Sequence, residues 1–291
     1  MNLHNFTNGA SANRQQHPLT MDQLRTIVPS AFAVAAHASR SERYTYLPTV
    51  DVIEGMIKAG FQPFRAIQSG SRIEGKAEFT KHLIRFRSAD APMSLVVGDT
   101  IPEVVLINSH DGTSTYQLSA GFYRLVCSNG LMVSEGLQDS IRIPHKGNII
   151  DAVIEGSNRI VNGSGAGIAT MEEWNGLQLT AGEQQAFAEA AHVIRFADAE
   201  GKTETPITAA MLLTTRRRDD APATLWNTFN KVQENVIKGG LSARGPRVNG
   251  QRGRMVTTKL VKGIDQDVKL NRALWTLGER MAELKGVRIA A

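Results

Sequence analysis

The sequence predicts an α+β fold in which an antiparallel sheet is flanked by helices. Strand-like segments follow one another between residues 62 and 128 with no helical pattern between them, so we expect an antiparallel sheet. Amphipathic helical patterns precede this region and fill most of the chain after residue 149. The chain has 291 residues, of which 42% are hydrophobic, and this is enough to bury a substantial core.

Two helices are predicted before the sheet. Thr20 is placed to act as the N-cap of a short helix, and Pro29 ends that helix because its ring disfavours helical backbone before it. The second helix covers 49–59, where apolar residues recur at helical spacing, and Gly60 stops it.

Most of the chain after the sheet is predicted to be helical. Thr180 and Glu183 have the spacing of a capping box that opens a helix over 182–196. Other helical patterns cover 149–160, a short segment after Thr208, 225–237 and 268–284. The sequence NGSGAG at 162–167 predicts a flexible break, since glycine and serine are poor helix formers.

The predicted sheet has four clear strands and one tight turn. The strands cover 62–68, 79–87, 103–108 and 115–128. The third is continuously apolar, which is typical of a central strand. In the second, alternation puts Lys81, Arg85 and Arg87 on one face. Asp111-Gly112 lies between the third and fourth strands and predicts a hairpin, because both residues tolerate positive φ.

The composition divides the chain into three parts. Residues 1–17 are rich in Asn, Gln and Gly and are predicted to form a flexible arm. Residues 18–160 form the predicted sheet domain. Residues 161–291 form a mainly helical part that packs on the same core and carries a basic, Gly-rich loop at 239–262.

Several classes of function have no support in the sequence. No apolar run approaches the roughly 20 residues of a membrane span, and the N-terminus has no apolar signal core, so we expect a cytoplasmic protein without membrane partners. Cys127 is the only cysteine, which excludes an internal disulfide and a cysteine cluster for zinc. No cofactor motif is present, and we expect no cofactor and no bound metal.

The segment NSHDGTSTY at 108–116 contains the residue types of a hydrolytic site. A metal-dependent nuclease or hydrolase would draw its side chains from this segment and from the other His and Glu residues of the sheet region. The candidates are His82, Glu103, His110, Asp111 and His145. Their spacing matches no metal or nucleophile motif, and the Asp-Gly pair explains the segment as a turn. We therefore predict no catalytic residues and keep the enzyme as an alternative.

Basic residues are concentrated where a polyanion could bind. The net charge is +5, and 238–272 holds nine cations against only Asp265 and Asp267. Arginine and lysine on a flexible backbone suit phosphates, because each contact releases counterions. The predicted nucleic-acid-binding residues are Arg40, Arg43, Lys81, Arg85, Arg87, Lys238, Arg244, Arg247, Arg252, Arg254, Lys259 and Lys262. Two alternatives remain open: a merely solvated loop, and an internal ion pair between Arg85 and Glu103.

Eight segments together resemble a known family. They are SRSERYTYLPT, GFQPF, TKHLIRFR, LINSHDGTSTYQL, RLVCSNGL, IPHKG, ENVIKGGLS and GIDQDVKLNRALW. In this order and spacing they resemble the DUF932 family, and more closely its UPF0380 branch, whose members occur on phages, prophages and plasmids. The resemblance covers nearly the whole chain from Pro18 to Leu284. It implies a mobile-element origin and supplies no catalytic residues.

The helix–sheet–helix order is also loosely similar to that of Rad52-type single-strand annealing proteins. This similarity and the basic clusters lead to the functional prediction. We expect a homo-oligomeric nucleic-acid-binding protein, which binds or anneals single-stranded DNA or acts in recombination. The alternatives are a protein-interaction module, such as an anti-defence factor, and the metal-dependent nuclease.

Overall fold

The computed structural model describes residues 17–35, 47–88, 90–91, 100–124, 129–132 (backbone only), 140–144, 148–247 and 251–287. The helices in these ranges are α1 (Met21–Ile27), α2 (Thr49–Lys58), α3 (Ile149–Gly176), α4 (Ala181–Phe196), α5 (Ala209–Leu212), α6 (Leu225–Lys238) and α7 (Ile264–Leu284). The strands are β1 (Phe61–Gln68), β2 (His82–Ser88), β3 (Thr100–Asn108), β4 (Tyr116–Arg124), β5 (Asn129–Met132), β6 (Ile141–Ile143), β7 (Ser242–Arg244) and β8 (Met255–Thr257). The α+β class predicted from the sequence is confirmed.

The chain forms two compact units. Unit 1 comprises Met1–Leu131 and Gln138–Gly165, and unit 2 comprises Met132–Leu137 and Ala166–Ala291. The division after Gly165 falls inside α3, five residues beyond the boundary predicted at 160. No helix in the described ranges has the length and apolar character needed to cross a membrane.

Unit 1 is built on a six-stranded sheet with the order β1-β2-β3-β4-β5, in which β6 also pairs with β4. The pairs β1–β2, β2–β3, β3–β4 and β4–β6 are antiparallel. The mostly apolar strand β3 lies between β2 and β4, as predicted. Gly112 adopts φ 77° in the turn between β3 and β4, so the predicted Asp-Gly hairpin is confirmed.

One face of the sheet is covered by α2 and α3. Gly55 of α2 lies so close to α3 that a Cβ there would be 2.6 Å from Ile150. A Cβ at Gly156 of α3 would be 2.8 Å from Leu118 of β4. Glycine at both positions therefore allows the two helices and the sheet to approach closely, and Val104, Leu106 and Phe122 are fully buried beneath them.

Helix α3 continues through the Gly-rich segment that was predicted to break it, so that prediction was wrong. The buried positions Ile160, Ser164, Gly167, Met171 and Trp174 keep a spacing of three and four residues through the segment. This is the period of one helix face. The small residues are therefore packing positions within the helix, and burial outweighs the weak helix propensity of NGSGAG.

Unit 2 is a helical unit around α6. Every residue from Leu225 to Val236 is buried, including its polar ones. The apolar part of this core is an aromatic cluster, in which the rings of Trp174 and Trp275 are 4.7 Å apart and Phe229 lies 5.9 Å from Trp275. A Cβ at Gly278 would be 2.3 Å from the ring of Trp174, so only glycine fits there. The unit is thus held by α3, α6 and α7 together.

Candidate nucleic-acid interface

The basic Gly-rich loop of unit 2 is a two-stranded β-ribbon. Ser242 pairs with Thr257 and Arg244 with Met255. Beyond the named strands, Gly245 N–H donates to Arg254 O over 2.9 Å and Gly240 N–H donates to Thr258 O over 2.8 Å. The ribbon, residues 240–245 and 254–258, thus has more regular structure than the sequence predicted. The run Met255-Val256-Thr257-Thr258 is the strand signal that could have identified it.

The ribbon is closed near its tip by a backbone contact that only glycine permits. A Cβ at Gly253 would lie 2.1 Å from the carbonyl oxygen of Gly245 and 2.3 Å from that of Pro246. The two carbonyl oxygens belong to the backbone, so they could make room for a Cβ only if the strands separated. Gly253 therefore fixes the ribbon's shape close to the residues that carry its charge.

The base of the ribbon is fixed to the body of unit 2. Gly239, at the end of α6, has φ 67° and lies so close to the returning strand that a Cβ would be 2.7 Å from Thr258 O. Arg216 donates from Nε to Asn235 Oδ1 over 2.8 Å and from Nη2 to Gly239 O over 2.5 Å. Arg216 thus joins the buried helix α6 to the first residue after it, from which the ribbon starts.

Most of the cations predicted for this region are exposed on the ribbon or beside it. The exposed ones are Arg244, Arg247, Arg252, Arg254, Lys259 and Lys262. Lys238 differs, because it is half-buried and pairs with Glu234 of α6 at 3.0 Å. No Asp or Glu occurs from Ser242 to Gly263, so the exposed charge on this segment has one sign. Residues 248–250 lie outside the described residues.

Arg85 and Arg87 do not form the exposed stripe that strand alternation suggested. They are 1% and 8% exposed, and each donates to Glu103, which is 1% exposed, at 3.0 and 2.9 Å. The guanidinium of Arg87 also lies 4.1 Å from the ring centroid of Phe64 and 4.0 Å from that of Tyr123. The alternative of an internal Arg85–Glu103 ion pair is therefore what the structure contains, because this sheet face is buried.

The other predicted cations lie away from the ribbon segment in the sequence. Lys81 precedes β2 and is half-buried. Arg40 and Arg43 lie outside the described residues, as does His145. Among the described residues, the predicted cations that lie together and exposed are those of the ribbon segment, and the nucleic-acid role of the others stays a prediction.

The histidines of the sheet belong to a buried polar network centred on Thr49, the first residue of α2. Thr49 Oγ1 lies 3.0 Å from His82 Nε2 and 3.0 Å from His110 Nε2, and it accepts a hydrogen bond from Asn108 Nδ2 at 3.0 Å. On its other side, His82 Nδ1 lies 2.9 Å from Ser30 Oγ. All five side chains are fully buried. Sequence reasoning did not find Thr49 or Ser30, because only the folded chain brings them to the histidines.

The hydroxyl of Thr49 has a limited hydrogen-bonding capacity. A hydroxyl donates one hydrogen and accepts about two, and Asn108 already occupies one acceptor position. Thr49 Oγ1 also lies 3.4 Å from the Tyr116 hydroxyl, so four polar groups surround an oxygen that makes about three hydrogen bonds. Burial and the adjacent His110 lower the pKa of His82 from 6.5 to about 3, although the backbone bond to Thr80 opposes this. His82 is therefore uncharged at neutral pH, and its hydrogen bonds to Thr49 and Ser30 give it a structural role.

Ser109 and Asp111 stabilise the turn between β3 and β4. Ser109 Oγ accepts from Ser114 N–H at 2.8 Å, and Asp111 Oδ1 accepts from Thr113 N–H and Oγ1 at 3.0 and 2.6 Å. Burial favours the neutral form of Asp111, but the bonds from Thr113, Ser109 and Lys76 outweigh it and lower the pKa of this carboxyl. Its ionised carboxylate is therefore part of an Asx-type turn.

The nuclease alternative finds no metal centre in the described part of the chain. No three His, Cys, Asp or Glu side chains among those residues lie close enough together to hold a metal ion. The Glu103 carboxylate already forms ion pairs with two arginines. His82 and His110 both lie within hydrogen-bond distance of the Thr49 hydroxyl. The geometry therefore assigns these candidate side chains to packing and leaves the ribbon as the candidate functional site.

Known proteins match the chain over almost its whole length. The family model for a domain of unknown function, DUF932, matches residues 36–275, a range that includes both the sheet and the ribbon. The chain belongs to the DUF932 family. It is 42% identical over 272 residues to the UPF0380 protein YafZ of Escherichia coli (strain K12), covering 94% of each chain. The UPF0380 protein YfjQ of the same strain gives the same identity and coverage.

The resemblance to UPF0380 proteins stated from the sequence is therefore confirmed. No solved structure matches the chain. The loose similarity to Rad52-type proteins accordingly stays a prediction, and the function of this DUF932 protein must be argued from its own surface.

Proposed function

We propose that this DUF932 protein binds nucleic acid through the β-ribbon of unit 2. The observation that carries the proposal is the set of six exposed cations between Arg244 and Lys262, in a segment without an acidic residue. Each cation that replaces a counterion on a phosphate makes binding more favourable at low salt. Five of the six lie within 16 residues, so one ligand can contact them together.

Pre-organisation of the ribbon supports the same proposal. The contact at Gly253 and the hydrogen bonds of Arg216 restrict the backbone before any ligand arrives. Binding of a ligand then carries a smaller entropic cost, because the loop is already ordered. A merely solvated loop would need no such contacts, so their presence supports the proposal.

The cellular role we propose is annealing or recombination of nucleic acid by several copies of the chain. This part of the proposal is supported by the analogy to Rad52-type proteins and not by a contact in unit 1 or unit 2. Light scattering of the purified protein, with and without nucleic acid, tests the oligomer. A monomer under both conditions would contradict it.

A second candidate function is supported by apolar exposure on the same segment. Met255, Val256 and Leu260 are 48%, 37% and 45% exposed, and apolar surface of this kind also suits a protein partner. A protein-interaction module would not need phosphate contacts, so its binding would depend weakly on salt.

Fluorescence anisotropy with labelled 30-residue nucleic acids tests the proposal. We expect binding at ~50 mM salt that weakens steeply toward ~200 mM, because several phosphate contacts are lost together. The variant Arg247→Gln/Arg252→Gln should bind less tightly, whereas Lys58→Gln/Arg72→Gln, which removes two exposed cations of unit 1, should not. If the protein bound no nucleic acid at ~50 mM salt, the result would contradict the proposal and favour the protein-interaction module.

A further inference from the structure

The two faces of the ribbon carry different cations. Residues directly opposite each other share a face, so Ser242, Arg244, Met255 and Thr257 lie on one side. The hydroxyl oxygens of Ser242 and Thr257 are 2.7 Å apart, which confirms that they share it. Arg254 and Val256 project from the other side, because side chains alternate along a strand. Exposed positive charge is therefore present on both faces of the ribbon.

The ribbon lacks the side chains that hold single strands. No Phe, Tyr or Trp occurs from Gly239 to Gly263. Proteins that bind single strands without sequence preference stack bases on aromatic rings, and this stacking contributes much of their affinity. A single strand lying on one face of the ribbon would also leave the arginine on the opposite face without a phosphate.

A duplex groove supplies partners for both faces. Phosphates line both walls of a groove, so a ribbon inside it can contact one backbone from each face. Two strands are about 4.8 Å apart before side chains are added, which suits the major groove, about 12 Å wide, better than the minor groove, about 6 Å wide.

We propose that the ribbon enters the major groove of double-stranded DNA, with Arg244 and Arg254 contacting opposite phosphate backbones. This inference rests on the proposed function and names its ligand. The paired stretch, 240–245 with 254–258, is about 17 Å long, which corresponds to about five base pairs at 3.4 Å each. Duplex DNA is thus the preferred ligand over a single strand of the same sequence.

The test compares a labelled 30-base-pair duplex with its separate strands, using the full chain and a salt series. We expect at least fivefold tighter binding of the duplex. Arg244→Gln/Arg254→Gln should lower the salt slope on the duplex by about 1.8, which is two phosphate contacts at about 0.9 each. The matched control Lys202→Gln/Arg280→Gln removes two exposed cations elsewhere in unit 2 and should leave the slope unchanged.

Groove ligands complete the test. Methyl green, which occupies the major groove, should displace the protein, and netropsin, which occupies the minor groove, should not. Equal or tighter binding of the single strand, or displacement by netropsin alone, would overturn the duplex inference while leaving nucleic-acid binding intact. If neither the duplex nor the single strands bound at ~50 mM salt, both the duplex inference and the proposed nucleic-acid-binding function would be overturned.

Discussion

Arg87 of β2 donates from Nε to Glu103 of β3 over 2.9 Å, inside a buried sheet face. Arg85 donates to the other oxygen of the same carboxylate at 3.0 Å. One buried anion therefore pairs with two buried cations, and its loss would remove a negative charge that both share.

The first prediction concerns that carboxylate. Glu103→Gln should lower the free energy of unfolding by about 3–5 kcal/mol, because it removes the charge that two buried guanidinium groups share. Urea unfolding followed by circular dichroism measures the change. The control Glu74→Gln alters an exposed glutamate of the same unit and should change stability by less than about 0.5 kcal/mol. Equal stability of the two variants would show that the ion pair contributes little.

The second prediction concerns the hydroxyl at the centre of the histidine network. Thr49→Val keeps the shape of the side chain but leaves the bonds to His82, His110 and Asn108 without a partner atom. We expect a loss of at least about 2 kcal/mol, since each buried polar group left unsatisfied costs about 1–3 kcal/mol. Thr26→Val, at an exposed position of α1, is the matched control. A stable Thr49→Val protein would contradict the proposed role of Thr49.

The third prediction is a pH dependence of stability from His82. Its folded pKa of about 3 lies below its ordinary value of 6.5, so the unfolded chain binds the proton more readily. The contribution of His82 is complete above pH 6.5 and is lost as the pH falls from 6.5 toward 3, by about 1.4 kcal/mol per pH unit.

Unfolding by urea at pH 7.5, 6.5, 5.5 and 4.5 checks this slope. The stability of the unmodified protein should fall more steeply with acid than that of His82→Gln, whatever their stabilities at pH 7.5. Parallel pH profiles for the two proteins would mean that His82 is not held neutral by its surroundings.

The fourth prediction concerns the backbone contact that closes the ribbon. Gly253→Ala places a methyl group where the Gly245 carbonyl lies 2.1 Å away, so the strands must separate. Nucleic-acid affinity should fall several-fold and the amide of Gly245 should exchange faster, with little change in the melting temperature. Gly245→Ala is the control, because its Cβ would be 3.6 Å from the nearest atom. Similar affinity for both variants would show that ribbon shape is unimportant.

Local sequence patterns predicted most of the sheet and the helix ends. Thr20 forms the N-cap predicted for α1, and Thr180 forms the capping box predicted with Glu183. The break in α3 was wrongly predicted because composition does not reveal that Ser164 and Gly167 lie on a buried helix face. Propensity is a weak guide where packing decides.

The candidate site was predicted in part. The charge of the ribbon is visible in the sequence, but its strands are only three residues long and contain no strong alternation. Alternation correctly placed Arg85 and Arg87 on one face, yet it cannot tell whether that face is covered. The network of Ser30, Thr49 and His82 depends on contacts between distant segments, which no local pattern encodes.

Removal of the whole ribbon charge, compared with removal of the same number of charges elsewhere, tests the central claim most directly. One variant replaces Arg244, Arg247, Arg252, Arg254, Lys259 and Lys262 with Gln. The other replaces six exposed cations elsewhere, which are Lys58, Arg72, Arg159, Lys202, Arg280 and Lys285. Each change takes the net charge from +5 to −1, since six positive charges are removed from the chain.

Fluorescence anisotropy with duplex DNA at ~50 mM salt then separates the effect of the ribbon cations on binding from the effect of the overall net charge. We expect the ribbon variant to lose binding almost completely, with a salt slope near zero. The second variant should keep most of the affinity and of the slope, because it retains every proposed phosphate contact. Equal loss of binding by both variants, or retention by the ribbon variant, would contradict the claim that this ribbon is the nucleic-acid interface.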